Sequence, residues 1–162
     1  MWIWIAIGAG TPVGLVLGLF LFLVVVMHTG YAPGLALIRR FNRRFTNQRV
    51  MRTAGQAGAD ASVICHIGRS SGKAYRTPVG ITEAGDDFLI SLPYGTTPDW
   101  LRNVLAAGSA EVIHQGREYP VTTPELVAPA AVASYQSWSE RLGLRVFGVD
   151  NILRLHRVSG AN

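Results

Sequence analysis

The residues best suited to chemistry lie in one short stretch, Gly68-Arg69-Ser70-Ser71-Gly72-Lys73-Ala74-Tyr75-Arg76-Thr77-Pro78-Val79. It holds three cations, several hydroxyls, two glycines and no acid. A turn of that composition can present backbone N–H groups and charged donors to a phosphate or carboxylate. The same composition also suits a solvated hairpin whose arginines do nothing. Other chemistries find less. Cys65 is the only cysteine, so no intramolecular disulfide can form, and its place within a strand reads as a small buried hydrophobe. His28, His66, His114 and His156 are scattered without metal-ligand spacing, so no metal site is expected. G-x-x-x-x-G-K-[ST] and G-x-G-x-x-G do not occur.

The elements that must hold this stretch are short strands. Ala61–Ile67, Arg76–Thr82, Phe88–Leu92, Glu111–His114, Glu118–Leu126 and Asn151–Val158 carry strand patterns, most of them bounded by glycine-bearing turns. Thr97-Pro98-Asp99 reads as a helix start with Thr97 as N-cap, and the helix runs to about Ala107 before Gly108. Pro129 opens a second helix through Tyr135 and Trp138 to about Leu142. Six short strands around one or two helices favour a mainly β (α+β) fold, a small barrel or roll; a doubly wound parallel sheet would need more helices.

Composition and charge frame the rest. The chain has 162 residues, 49% apolar and 15% charged, a mean hydropathy of +0.25 and a net charge of +5. Globular domains average about 25% charged residues, so a disordered chain is excluded. The positive excess is local. No acid precedes Asp60, whereas Arg39, Arg40, Arg43, Arg44, Arg49 and Arg52 all do, and the remainder is nearly neutral. Nucleic acid is therefore not the expected partner.

The first 38 residues carry no Asp, Glu, Lys or Arg. A bilayer core needs about 20 apolar residues in a helix, so residues 1–30 read as an uncleaved transmembrane helix preceding the β domain. The arginines that follow place its N-terminus outside and the domain in the cytoplasm, a single-pass cell-membrane protein, with Trp2 and Trp4 at the outer interface. Gly10, Gly14 and Gly18 have G-x-x-x-G spacing, which would suit a homo-oligomer or a membrane-protein partner. Residues 31–58 read as a basic amphipathic helix and linker, with Leu37, Phe41 and Phe45 on one stripe facing an anionic lipid surface or the domain itself. The third unit is 59–162.

The cationic stretch resembles the G-R-x-S-G-x-x-x-R-T-P-[LV] signature of the deazaflavin-dependent nitroreductase family, whose members use coenzyme F420 (8-hydroxy-5-deazaflavin), and its F420H2-dependent quinone reductase relatives. Pro98-Asp99-Trp100-Leu101-Arg102-Asn103 is similar to that family's P-x-W-x-x-N helix, and Tyr135-Gln136-Ser137-Trp138 to a further family stretch. Tyr75 stands where better-known members carry arginine, with Arg76 one place on, so a less studied branch is indicated. The resemblance implies a split β-barrel with two or three helices that passes hydride from reduced F420 to a second substrate. It assigns cofactor binding to Arg69, Ser70, Ser71, Lys73, Arg76, Pro98, Trp100 and Asn103, and a proton to Tyr135. With a membrane anchor, a lipid-soluble quinone is the expected acceptor. FMN is the second-choice cofactor. The alternatives are an FMN- or haem-binding barrel and a non-catalytic lipid- or ligand-binding or accessory membrane subunit.

Overall fold

The structure, a computed structural model, describes the backbone of residues 2–158 and, from Gly14 onward, the side chains. Seven strands form one antiparallel sheet: β1 (Ser62–Ile67), β2 (Ala74–Val79), β3 (Thr82–Ala84), β4 (Asp87–Ser91), β5 (Ser109–His114), β6 (Arg117–Val127) and β7 (Ile152–Arg157), in the order β2-β1-β5-β6-β7-β4-β3. The sheet curls into a half-barrel, and β6 is where it bends. This strand pairs with β5 through Arg117–Thr122 and with β7 through Val121–Val127. Its register shifts between Thr122 and Glu125, and Thr123 has φ +51°. Such a bulge sharpens the local twist and re-aims the strand, which lets one sheet enclose its own core.

That core is apolar and closed by a helix. Ile64, Phe88, Ile90, Val112, Val121, Leu153 and Leu155 line the concave face, and Leu101 and Val104 of α4 (Asp99–Ala107) cap them. Phe88 is fully buried, with Tyr119 edge-on to its ring at 5.3 Å and the Arg157 guanidinium 5.0 Å from its centroid. A smaller cluster of Ala84, Leu89, Val132 and Ile152 lies beneath a 3-10 turn (Pro129–Tyr135) and α5 (Trp138–Val146).

The mainly β half-barrel agrees with expectation, but several elements differ. The strand expected over Arg76–Thr82 is two, because β2 stops at Val79 and β3 begins beyond Gly80 at the opposite edge of the sheet. Pro98, not Thr97, occupies the N-cap of α4, and no side chain caps it. The single helix expected from Pro129 to Leu142 is broken at Gln136–Ser137, since Ser137 starts a new helix through a capping box with Glu140.

The N-terminal region is helical. A helix, α1, runs over Trp2–Thr29, but among the described residues no helix is long and apolar enough to cross a membrane. The last turns of α1 are also packed on protein. Val26 is buried against Gly34, Phe20 meets Phe147 edge-on, and His28 lies against Gly148. The expected single-pass anchor over 1–30 is thus not supported. Trp2, Trp4 and Gly10 lie outside the described side chains, while Gly14 and Gly18 have no other side chain or backbone within 4 Å of a would-be Cβ. The basic helix expected over 31–58 is present as α2 (Ala32–Phe41), a π-helical turn (Asn42–Thr46) and α3 (Asn47–Val50).

Phe88→Ala removes the largest side chain in the core. It should lower unfolding free energy by about 3–5 kcal/mol in urea denaturation, with little change in the slope.

Candidate functional site

The cationic stretch becomes a tight hairpin between β1 and β2. The Gly68 N–H donates to the Lys73 carbonyl at 2.8 Å, the Gly72 N–H donates to the Gly68 carbonyl at 2.8 Å, and Gly72 sits at φ +64°. Gly68 leaves room for two neighbours, because a Cβ there would stand 2.4 Å from Ser71 Oγ and 2.8 Å from the Tyr75 ring and would force those side chains to move. Ser71 Oγ is in turn 3.2 Å from the Tyr75 hydroxyl. The loop is thus pinned at its base, while Ser70, Ser71 and Lys73 stay exposed at its tip.

One loop residue is held from below. The Arg69 backbone N–H and its Nη1 both donate to Asn103 Oδ1, at 3.2 and 2.9 Å, and Nη2 donates to Asp99 Oδ1 at 3.2 Å. Arg102 Nη2 donates to the same Asp99 oxygen at 2.9 Å. Asn103 is only 6% exposed, one of the few buried polar side chains among the described residues. Its Nδ2 lies 3.2 Å from His66 Nδ1, and His66 Nε2 lies 3.2 Å from Thr77 Oγ1. The His66 ring stacks on Tyr75, with centroids 5.7 Å apart. One chain of hydrogen bonds therefore joins the sheet interior to an exposed guanidinium.

The electrostatics follow from these contacts. The hydrogen bond from Arg69, with the Arg102 charge behind it, holds the exposed Asp99 carboxyl below its ordinary value. Burial pushes His66 below the ordinary imidazole value. Asp99 occupies part of the Arg69 fork, so an incoming anion has to compete with that carboxylate.

The expected site residues divide into groups. Arg69 and Asn103 are brought into direct contact, with Asn103 buried beneath the arginine. Ser70, Ser71 and Lys73 share the loop with Arg69. Pro98 leads into α4, and Trp100 is partly buried, packed against the main core cluster. Arg76 pairs with Cys65, out of phase with the His66–Tyr75 pair, so it points to the other face of the sheet. Tyr135 is exposed on the 3-10 turn, which packs on β3 at the far edge of the strand order, and the cluster above does not include it.

Two features went unread in the sequence. His66 alternates in phase with the core residue Ile64, so a polar side chain faces inward beside the loop. The basic helix is also tied to the loop that precedes α4. Arg39 Nη1 donates to Thr97 Oγ1, and Asn42 Nδ2 donates to the Tyr94 hydroxyl at 2.7 Å. Burial raises the Tyr94 phenol above its ordinary value, with the Asn42 contact opposing it. A cavity of ≈ 230 Å³ lies next to this junction, lined by Leu92, Pro93 and Gly95 and by Met27, His28 and Leu35 at the α1–α2 corner.

Comparisons with known proteins give a family. Among solved structures the chain is similar to an F420-H2-dependent reductase (FDR-A), at 14% identity over 60% of this chain and 94% of that one, with a TM-score of 0.45. It is similar to an F420 reductase at 14% identity, over 61% and 86% of the two chains, with a TM-score of 0.43. It is also similar to HutZ, the heme storage protein from Vibrio cholerae, at 12% identity over 62% and 83%, again with a TM-score of 0.43. No curated protein matches. The family model of the F420H(2)-dependent quinone reductases matches residues 37–141, which takes in the basic helical region from Leu37 onward as well as the cationic hairpin and α4. With more than half of its length matched, the chain belongs to the F420H(2)-dependent quinone reductase family and is an oxidoreductase.

Proposed function

We propose that the chain binds reduced F420 through the β1–β2 hairpin and passes its hydride to a quinone-class acceptor met at an anionic membrane surface. The observation that carries this reading is the Arg69 guanidinium, fixed by a buried amide at the rim of an acid-free loop. The donor set suits an anionic tail: one forked cation already oriented, an exposed lysine and two serine hydroxyls. When bound, the reduced deazaflavin supplies the hydride. The protein's part is to bind and orient. Arg69 would take a tail oxygen in place of Asp99, and Asn103 keeps the arginine from relaxing toward solvent. Pro98 and Trp100, at the start of α4, would border the cofactor beside that anchor. Tyr135, exposed at the β3 edge, would deliver a proton only to an acceptor bound on that side.

Acceptor and location are read from the helical N-terminal region. Leu15, Val16, Leu17, Leu19, Phe20, Leu21, Phe22 and Val25 are exposed along α1, and Leu37, Phe41 and Phe45 along the basic helix. Exposed apolar surface on this scale marks an interaction site. Arg40, Arg43, Arg44, Arg49 and Arg52 are exposed along the same helical region, with no acid before Asp60. Apolar side chains beside unopposed arginines suit an interfacial seat on anionic lipid. That seat would bring the barrel to lipid-soluble acceptors.

Titrating the full chain into F420 and following cofactor fluorescence should show saturable binding, with FMN and haemin as competing ligands. Arg69→Ala should weaken F420 binding about tenfold or more by removing a charge-assisted donor. Asp99→Asn should tighten it about two- to fivefold, the value of an exposed ion pair that no longer competes. A soluble quinone should then reoxidise the reduced cofactor. Absence of F420 binding at micromolar concentration would overturn the reading.

Flotation with phosphatidylglycerol vesicles tests the seat. Replacing Arg40, Arg43 and Arg44 with glutamine should lower binding about a hundredfold at low salt, at about 1 kcal/mol for each arginine. Neutral phosphatidylcholine vesicles should respond little. Equal loss on both vesicles would count against an electrostatic seat.

A further inference from the structure

Asn103 can be oriented in only one way. Arg69 offers it two N–H donors, from the backbone and from Nη1, and both need an acceptor, so the amide oxygen must face Arg69. The amide nitrogen then faces His66 Nδ1 and donates to it. A nitrogen that accepts carries no proton, so the His66 proton sits on Nε2 and donates to Thr77 Oγ1. The position of one guanidinium therefore fixes the tautomer of a buried imidazole, through a single shared amide.

The dependence also runs in reverse. Were His66 to gain a proton on Nδ1, that N–H would point at the Asn103 NH2, donor against donor. Rotating the amide would relieve this clash, but it would turn NH2 toward the two donors of Arg69. No rotamer of the amide serves both sides once His66 is charged. The surrounding groups do not favour the charged ring. Tyr75 stacks on it from β2, Thr77 meets Nε2, and Arg69 lies beyond Asn103 with its own positive charge. The carboxylate of this network, Asp99, reaches His66 only through Arg69 and Asn103.

We propose that His66 is a positioning residue for the anion clamp: neutral, it locks Asn103 and so aims Arg69, and on gaining a proton it releases the arginine. The link to F420 rests on the function proposed above, whereas the link from His66 to Arg69 does not. Burial lowers the His66 pKa from 6.5, so the unfolded chain takes up its proton first as pH falls. The neutral ring's contribution to stability is fully present above about 6.5 and is lost as pH falls through the lower folded value. The clamp should hold at neutral pH and loosen in the same acidic window.

Two measurements test this. In the first, ¹⁵N–¹H NMR of the full chain without cofactor reads the imidazole of His66 and the backbone amide of Arg69. The expected result is a neutral Nε2–H tautomer, and an Arg69 amide that shifts on acidification with the same midpoint as His66. An Nδ1–H tautomer, or an Arg69 amide that ignores the titration, overturns the proposal. The second measures F420 binding across pH. His66→Gln keeps an acceptor for Asn103 but cannot titrate, so it should bind like wild type near neutrality and hold that affinity into acid. His66→Leu is similar in bulk but leaves the amide nitrogen unpaired, so it should bind about tenfold more weakly at every pH. If His66→Gln loses affinity in acid as wild type does, the proposal fails, whether or not His66→Leu folds. A wild-type chain that binds no F420 overturns the cofactor reading instead, and the cofactor-free NMR result then decides for His66.

Discussion

A buried side-chain amide has to be satisfied at both ends, and in this protein the amide of Asn103 meets that requirement with two elements distant in sequence. Its oxygen takes both donors of Arg69 and its nitrogen takes the ring of His66. The hairpin between β1 and β2 therefore has a fixed height above α4. Leaving any one partner out would strand a polar atom in the interior, at about 1–3 kcal/mol. The exposed cation at the rim owes its direction in part to a side chain that is itself buried. An anion site built on flexible surface lysines alone would have no such reference.

The helices at the N-terminus act on the same neighbourhood from the other side. Arg39 and Asn42 hold Thr97 and Tyr94, which lie in the loop leading into α4. Asn42 also opens the π-helical turn, a departure from regular helix that is often found beside functional sites. The basic helix is thus both a surface element and a strut, and its two tying residues, Arg39 and Asn42, lie inside the stretch that the family model matches. Its exposed arginines and its loop-facing polar groups lie on one helical region.

Much of the β domain was legible in the sequence, for physical reasons that also mark its limits. β1, β4 and β7 could be read because short apolar runs between turn residues have few other uses. Arg69 and Asn103 could each be named from motif resemblance, yet their contact could not, since it depends on how α4 packs across β1. His66 was passed over as one of several scattered histidines; its inward phase with Ile64 was the available sign. The same alternation would have set Arg76 apart from Tyr75 and Thr77. The break at Gln136–Ser137 was written in the Ser-x-x-Glu spacing from Ser137 to Glu140. Hydropathy records the apolarity of α1 and not what its side chains touch, so the contacts of Val26, Phe20 and His28 with protein could not be read from it.

The position of β7 has a consequence for how the molecule comes to exist. This final strand lies between β6 and β4, pairing Val121–Val127 on one side and Asp87–Ser91 on the other. Until residues 152–157 arrive, the β3–β4 hairpin has no sheet to join, although it is made much earlier on the ribosome. The loop from β4 to α4 hangs from that hairpin. Residues 152–157 therefore close the sheet around a hairpin made much earlier, and so many non-local pairings imply slow folding.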